Sequence, residues 1–225
     1  MLISHFKLPY PFKRIMYSYD LNTNLAHIQN KLAEQVVKKN DFKELKYVAG
    51  VDVSFSHENH AVASAVILDR TSLEIVEKVI QEVELLFPYK SGFLGFREAD
   101  GMVSVLSCLK KDYDVVMING HGLLHPRGLG LASQVGVMID IPTLGVAKRL
   151  IVGSPINIGN KLPELIIFKN EILGAYLNGV YVSIGHKISL KNAIELVKDT
   201  SIFKTPEPIR QAHILATQAF KNILK

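Results

Sequence analysis

The run Val115-Val116-Met117-Ile118-Asn119-Gly120-His121-Gly122-Leu123-Leu124-His125-Pro126-Arg127 begins as an apolar strand and breaks into a polar turn. The turn is flanked by glycines and holds two histidines and an arginine. A buried strand that ends this way presents polar groups at a sheet edge, where ligands bind in open α/β folds. Asp52 stands inside a second apolar stretch, Tyr47-Val48-Ala49-Gly50-Val51-Asp52-Val53-Ser54-Phe55. A charge in such a strand is costly to bury unless it is paired or bound to a metal, and the alternative is a solvent-facing position.

Four further residues fit the same chemistry. Glu98 opens a helix after a glycine-containing loop, where a glutamate ordinarily complements the helix dipole and could instead orient a water or a metal. Lys148 lies just past the end of Thr143-Leu144-Gly145-Val146-Ala147. It is either a solvated strand terminus or a point charge for a phosphate. His213 falls on one face of the last helix, a place as ordinary for a histidine as for a ligand. Tyr89 sits between Pro88 and Gly92. An aromatic there is either a surface hydrophobe or a wedge that stacks against an unpaired base.

These residues need elements to hold them. Helical spacing predicts a helix from Asn24, a plausible N-cap, to about Lys39. Three β-rich stretches follow, Leu45–Phe55, Ala61–Leu68 and Glu74–Glu84, whose short polar connections predict an antiparallel meander. A helix is expected over Arg97–Lys110, then strand Asp114–Ile118, a helix near Leu129–Met138 and strand Thr143–Ala147. Strands are also expected at Glu171–Leu177 and Val180–Ile184, a helix from Ser189 through Val197, and a last helix over Pro208–Leu224. Three antiparallel strands, then helix, strand, helix, strand, is the order of an α/β, ribonuclease-H-like mixed sheet flanked by helices. In that arrangement the first and fourth strands lie parallel and adjacent, so Asp52 and Asn119 would face each other. A doubly wound sheet is the rival topology.

Composition narrows the class. The 225 residues fit one domain, with residues 1–20 as an N-terminal arm rich in prolines and aromatics. A hydrophobic content of 48% is ample for a full core. The single cysteine, Cys108, has no internal partner, which points to a reducing, cytoplasmic setting; its apolar surroundings in sequence read as core filler. A net charge of +5 favours a polyanionic partner. No apolar run reaches the roughly 20 residues that cross a bilayer, so no membrane partner is expected, and the chain is expected to act as a monomer.

Six ordered segments, spanning nearly the whole chain, resemble the motifs of the endonuclease V family. Val48-Ala49-Gly50-Val51-Asp52 resembles its first metal-binding strand. Phe87-Pro88-Tyr89 through Phe96-Arg97-Glu98 resembles its wedge loop and catalytic glutamate. Asn119 through Arg127 resembles its third motif, and Pro142-Thr143-Leu144-Gly145-Val146-Ala147-Lys148 its lysine strand. Val182 through Ser189 and Pro206 through His213 resemble its C-terminal motifs.

The resemblance implies a DNA-repair endonuclease that nicks the second phosphodiester on the 3′ side of deoxyinosine with Mg²⁺, for which Mn²⁺ may substitute. It implies that Asp52, residue 119, Glu98 and His213 serve the metal, and that Lys148 contacts the phosphate. His125 would support the site from behind. Pro88 and Tyr89 would form the wedge. Gly92, Gly120, His121 and Gly122 would line the base pocket through backbone amides, and Gly130, Leu131 and Ala132 would touch the strand. Such chemistry needs hard oxygen ligands that neutralise charge and acidify a bound water. Hypoxanthine pairs weakly, so flipping it is less costly than flipping a normal base.

Two residues depart from the family pattern. Ser91 replaces a proline in the wedge loop, which softens the wedge. Asn119 stands where the family carries a metal-binding aspartate. Asparagine keeps one coordinating oxygen and loses the charge, so weaker metal binding and slower chemistry are expected, with DNA binding retained. Two other readings stay open: a catalytically dead binder of inosine-containing nucleic acid, and a ribonuclease specific for inosine.

Overall fold

The computed structural model describes residues 21–55, 60–156 and 163–223, so the N-terminal arm expected at residues 1–20 lies outside the described residues. Strand β1 (Tyr47–Phe55) is buried along most of its length and sits near the middle of a nine-stranded mixed sheet. Its neighbours are β2 (His60–Asp69), antiparallel, and β4 (Val115–Asn119), parallel. The register sets Val51 beside Ile118, so the next residues on each strand, Asp52 and Asn119, end up side by side. The first and fourth strands are therefore parallel neighbours, as the ribonuclease-H-like order requires.

Strand β3 (Ile75–Glu84) completes the meander at one edge, and β5 (Thr143–Ala147) extends the sheet parallel to β4. The chain then adds β6 (Ser154–Pro155), β7 (Glu164–Phe168), β8 (Glu171–Leu177) and β9 (Val180–His186). The full order across the sheet is β3-β2-β1-β4-β5-β9-β8-β7-β6. Strands β6 and β7 lie beyond the sequence expectation. They form the far edge, where side chains are mostly half-buried or exposed and the alternating pattern that marks a strand is weak. Proline in β6 is tolerated because an edge strand leaves one side unpaired.

Helices cover both faces. Helices α2 (Leu94–Ser107) and α3 (Leu131–Ile139) lie on one face, packing Met102, Val105 and Val135 against Ala49, Val51 and Ile118. Helices α4 (Leu190–Asp199) and α5 (Glu207–Ile223) lie on the other, packing Leu196, Val197 and Ile209 against Val48, Met117 and Leu144. Helix α1 (Leu21–Ala33) starts earlier and ends sooner than the sequence predicts. Helix α2 begins at Leu94 rather than Arg97, because the turn at Gly92 (φ +77°) and the packing of Phe93 and Phe87 on Phe96 start it early. No helix among the described residues is long and apolar enough to cross a membrane.

One contact brings α5 to the catalytic edge. A Cβ added at Gly50 would lie 2.0 Å from the Pro208 carbonyl oxygen. The helix thus rests directly on the β1 backbone, and it runs so that Ala212 accepts a hydrogen bond from Ser64 (2.6 Å), the β2 partner of Asp52. Gly50→Ala should force the helix away, lowering the melting temperature sharply, with a loss on the order of 2 kcal/mol or more. A melting curve unchanged from the unmodified chain would show that α5 can retreat without cost.

Candidate active site

Asp52 is 6% exposed and anchors the site. One carboxylate oxygen is 2.7 Å from His213 Nδ1, and the other accepts a 3.4 Å hydrogen bond from the Asn119 side-chain amide. Burial pushes the Asp52 pKa up, and the His213 contact only partly offsets it. Glu98 is 8% exposed. Burial first, and then the charge on Asp52, push its pKa up to about 7, against a smaller opposing pull from Arg97. Glu98 lies beyond the first turn of α2, since the helix begins at Leu94, so the helix dipole does not account for it.

The set expected to serve a metal is thus only partly gathered. Asp52, Asn119 and His213 are in contact, and Glu98 is coupled to Asp52 through charge. Among the described residues no three His, Cys, Asp or Glu side chains stand close enough to hold a metal ion, so Asp52, Glu98 and His213 are not drawn into one ligand set. The donors still suit a hard cation. Both buried carboxylates have raised pKa values that the pull of His213 on Asp52 and of Arg97 on Glu98 only partly offsets, so added positive charge would favour their ionised forms.

The wedge loop is clamped at both ends. Arg97 donates to the Phe87 carbonyl (2.6 Å) and stacks over the Phe55 ring at 4.8 Å. At the other end, the Gly92 carbonyl accepts from Arg127 (2.6 Å) and from Gln29 (3.1 Å), and Arg127 also donates to Gln29. A side chain at Gly92 would strain its positive φ and press on the Arg127 guanidinium, 3.0 Å from the Cβ position. Between the clamps, Pro88 and Tyr89 are exposed, Tyr89 to 68%. Gln29 and the clamping roles of Arg97 and Arg127 were not legible in the sequence. A buried glutamine on a surface-type helix leaves no pattern, and the two arginines belong to motifs without announcing their partners.

The third motif folds back on the sheet. His125 is buried, and its pKa falls to about 4, mainly through burial and then through Arg127, so it is neutral at pH 7. Its Nδ1 accepts the Arg127 backbone N–H at 3.3 Å, which places it under the wedge clamp. Nε2 of His121 is 2.8 Å from the Arg149 carbonyl oxygen. Gly120 donates its amide to Val146, and Gly122 donates to Ser183 Oγ at 2.8 Å. These two amides are therefore engaged inside the protein. Gly130, Leu131 and Ala132 are buried at the start of α3, and the Ala132 N–H is donated to the His121 carbonyl. Lys148 is exposed immediately beyond β5, as expected.

Comparison with known proteins follows the same residues. The model of the family described as Endonuclease V matches residues 30–214. The chain belongs to the endonuclease V family. It is 39% identical to an Endonuclease V of Dictyoglomus thermophilum over 209 residues, covering 89% of this chain and 91% of the relative. It is 42% identical to one of Rippkaea orientalis, covering 84% and 87%. The crystal structure of Streptomyces avermitilis Endonuclease V superposes with a TM-score of 0.83 at 29% identity, covering 91% of this chain and 95% of that one. Ciona intestinalis Endonuclease V, in complex with a 24mer DNA containing an inosine followed by a ribo-adenosine, superposes at 0.81 with 32% identity, covering 89% and 98%. Descent from this family makes the chain a nuclease by kinship.

Glu98 gives a pH signature. The unfolded chain releases its proton near the usual 4.5, whereas the folded protein holds it up to about 7. Folding takes up a proton in that window, so stability falls as pH rises through it. Glu98→Gln should therefore stabilise the metal-free protein at pH 8 by about 3 kcal/mol and change little at pH 4. Equal effects at both pH values in denaturant titrations would mean that Glu98 ionises normally.

Proposed function

We propose that this endonuclease V family member is a metal-dependent DNA-repair nuclease that nicks the second phosphodiester 3′ to deoxyinosine. The observation that carries the reading is the Asp52 carboxylate, buried beside Glu98 at a sheet edge and touching both Asn119 and His213. The inosine-containing DNA held by the Ciona relative supports the substrate class. The single cysteine supports a reducing compartment, and we place the activity in the cytoplasm.

Asp52, Glu98 and the Asn119 carbonyl oxygen would hold Mg²⁺ or Mn²⁺. When bound, the ion neutralises charge on the phosphate and lowers the pKa of a water. Lys148 holds the phosphate as a point charge. His213 is oriented through Nδ1 by Asp52, which leaves Nε2 to exchange a proton with water or the leaving oxygen. Tyr89 fills the gap left by the flipped base, on a loop whose ends do not shift. Its truncation to alanine should weaken binding to an inosine duplex about tenfold, given 1–3 kcal/mol per stacked base; unchanged anisotropy titrations would remove Tyr89 from the contact.

A specific observation favours the binder reading as well. The Asn119 amide donates to the oxygen of Asp52 that a cation would otherwise approach. Nicking of a labelled duplex with one deoxyinosine separates the two. With Mg²⁺ or Mn²⁺, Asn119→Asp should cut at least 100-fold faster than the unmodified chain, and both should bind alike. Cleavage by neither, with inosine-selective binding by both, would establish the binder. A parallel strand of inosine-containing RNA tests the ribonuclease.

A further inference from the structure

The loop between α4 and α5 carries two apolar side chains that the core does not use. Ile202 is 64% exposed and Phe203 is 60% exposed. Phe203 is nevertheless held in place. The Arg210 guanidinium lies 5.1 Å from its ring centroid. Arg210 is itself fixed by two 2.7 Å hydrogen bonds to the buried carboxylate of Glu207, which also accepts from Gln211 at 3.0 Å. The Glu207 backbone N–H closes the loop by donating to Thr200 at 2.7 Å. An aromatic held by its own cation and ion pair, yet left in solvent, is built to receive something flat and apolar.

Its position points to the nucleic-acid strand. Arg210 is one helical turn before His213 on α5, so Phe203 is tethered to the helix one turn from the histidine that touches Asp52. Lys204 lies across the Gly179 turn, its Nζ 3.0 Å from where a Cβ would be. That turn leads into β9, whose Tyr181 pairs with Ala147, the residue before Lys148. Lys204 and Lys148 therefore flank one turn at the rim of the site, and both are exposed. The wedge loop leads into α2 on one face of the sheet, and the Phe203 loop connects helices on the opposite face. Asp52 is on the α5 face, just past the last β1–β4 pair.

We propose that Phe203 and Lys204 form a second nucleic-acid subsite, which takes the strand on the 3′ side of the scissile phosphate. Phe203 stacks on a base there, and Lys204 pairs with the adjoining phosphate. This rests on the proposed function: with the lesion at Tyr89 and the cut 3′ to it, the strand leaves Asp52 toward this face. Stacking on an aromatic tolerates any base, so the subsite adds affinity without adding sequence preference.

The test uses two fluorescent single strands carrying one inosine, bound by the full chain in EDTA. One strand continues ten nucleotides beyond the inosine on its 3′ side, and the other stops two nucleotides beyond it. Adenine-bearing strands of both lengths run beside them. The unmodified chain should prefer the long strand by about tenfold. Phe203→Ala and Lys204→Ala should each reduce that preference severalfold and leave the short strand unaffected. Phe203→Trp should restore it, and melting curves should show the variants folded. Equal loss on both lengths, or no length preference in the unmodified chain, overturns the subsite. The length contrast is read on adenine strands too, so a missing inosine preference overturns only the functional reading.

Discussion

Two carboxylates buried near one another, with too little positive charge beside them to offset their burial, set the terms for everything around them. Burial raises the pKa of both Asp52 and Glu98, and the charge on Asp52 makes Glu98 harder still to ionise. The protein relieves this with a proton held on Glu98 and with the groups that touch Asp52. The pairing of β1 with β4, the placement of α5 over Gly50 and the early start of α2 are the means by which three segments distant in sequence reach this one spot.

Asn119 changes how that strain is shared. An aspartate in its place would add a third negative charge and leave the cluster dependent on a bound cation. The asparagine amide instead donates to Asp52, so the metal-free site already has a partial substitute for positive charge. The same hydrogen bond that steadies the site without metal would compete with the ion that the proposed chemistry needs. Stability and catalytic readiness are opposed at this residue.

The neighbourhood of the first and fourth strands and the adjacency of Asp52 and Asn119 were legible in the sequence, because apolar runs mark the strands and their order pairs these two, whereas His213 was assigned to the site only through the family resemblance. The exposed positions of Tyr89 and Lys148 were legible for a similar reason: each follows a strand or a proline that dictates where the chain emerges. The use of the glycine amides was not. Whether the Gly120 and Gly122 N–H groups face a ligand or a neighbouring strand depends on Val146 and Ser183, which arrive from elsewhere in the chain. The helix boundary at Leu94 was also hidden, since aromatic packing around Phe96 rather than propensity decides it.

The double clamp on the wedge loop has a thermodynamic consequence. A free loop would lose conformational entropy on entering a duplex, and that loss would weigh on every sequence equally. Here Arg97 holds Phe87, and Arg127 with Gln29 holds Gly92, before any nucleic acid arrives. Both ends of the loop are therefore tied down in the free protein. What remains to be deformed on encounter is the duplex, and its resistance depends on how firmly the base at that point is paired. In the proposed wedge role, a loop clamped at both ends would convert local weakness in the double helix into a difference in binding, before any group in the pocket has touched the base.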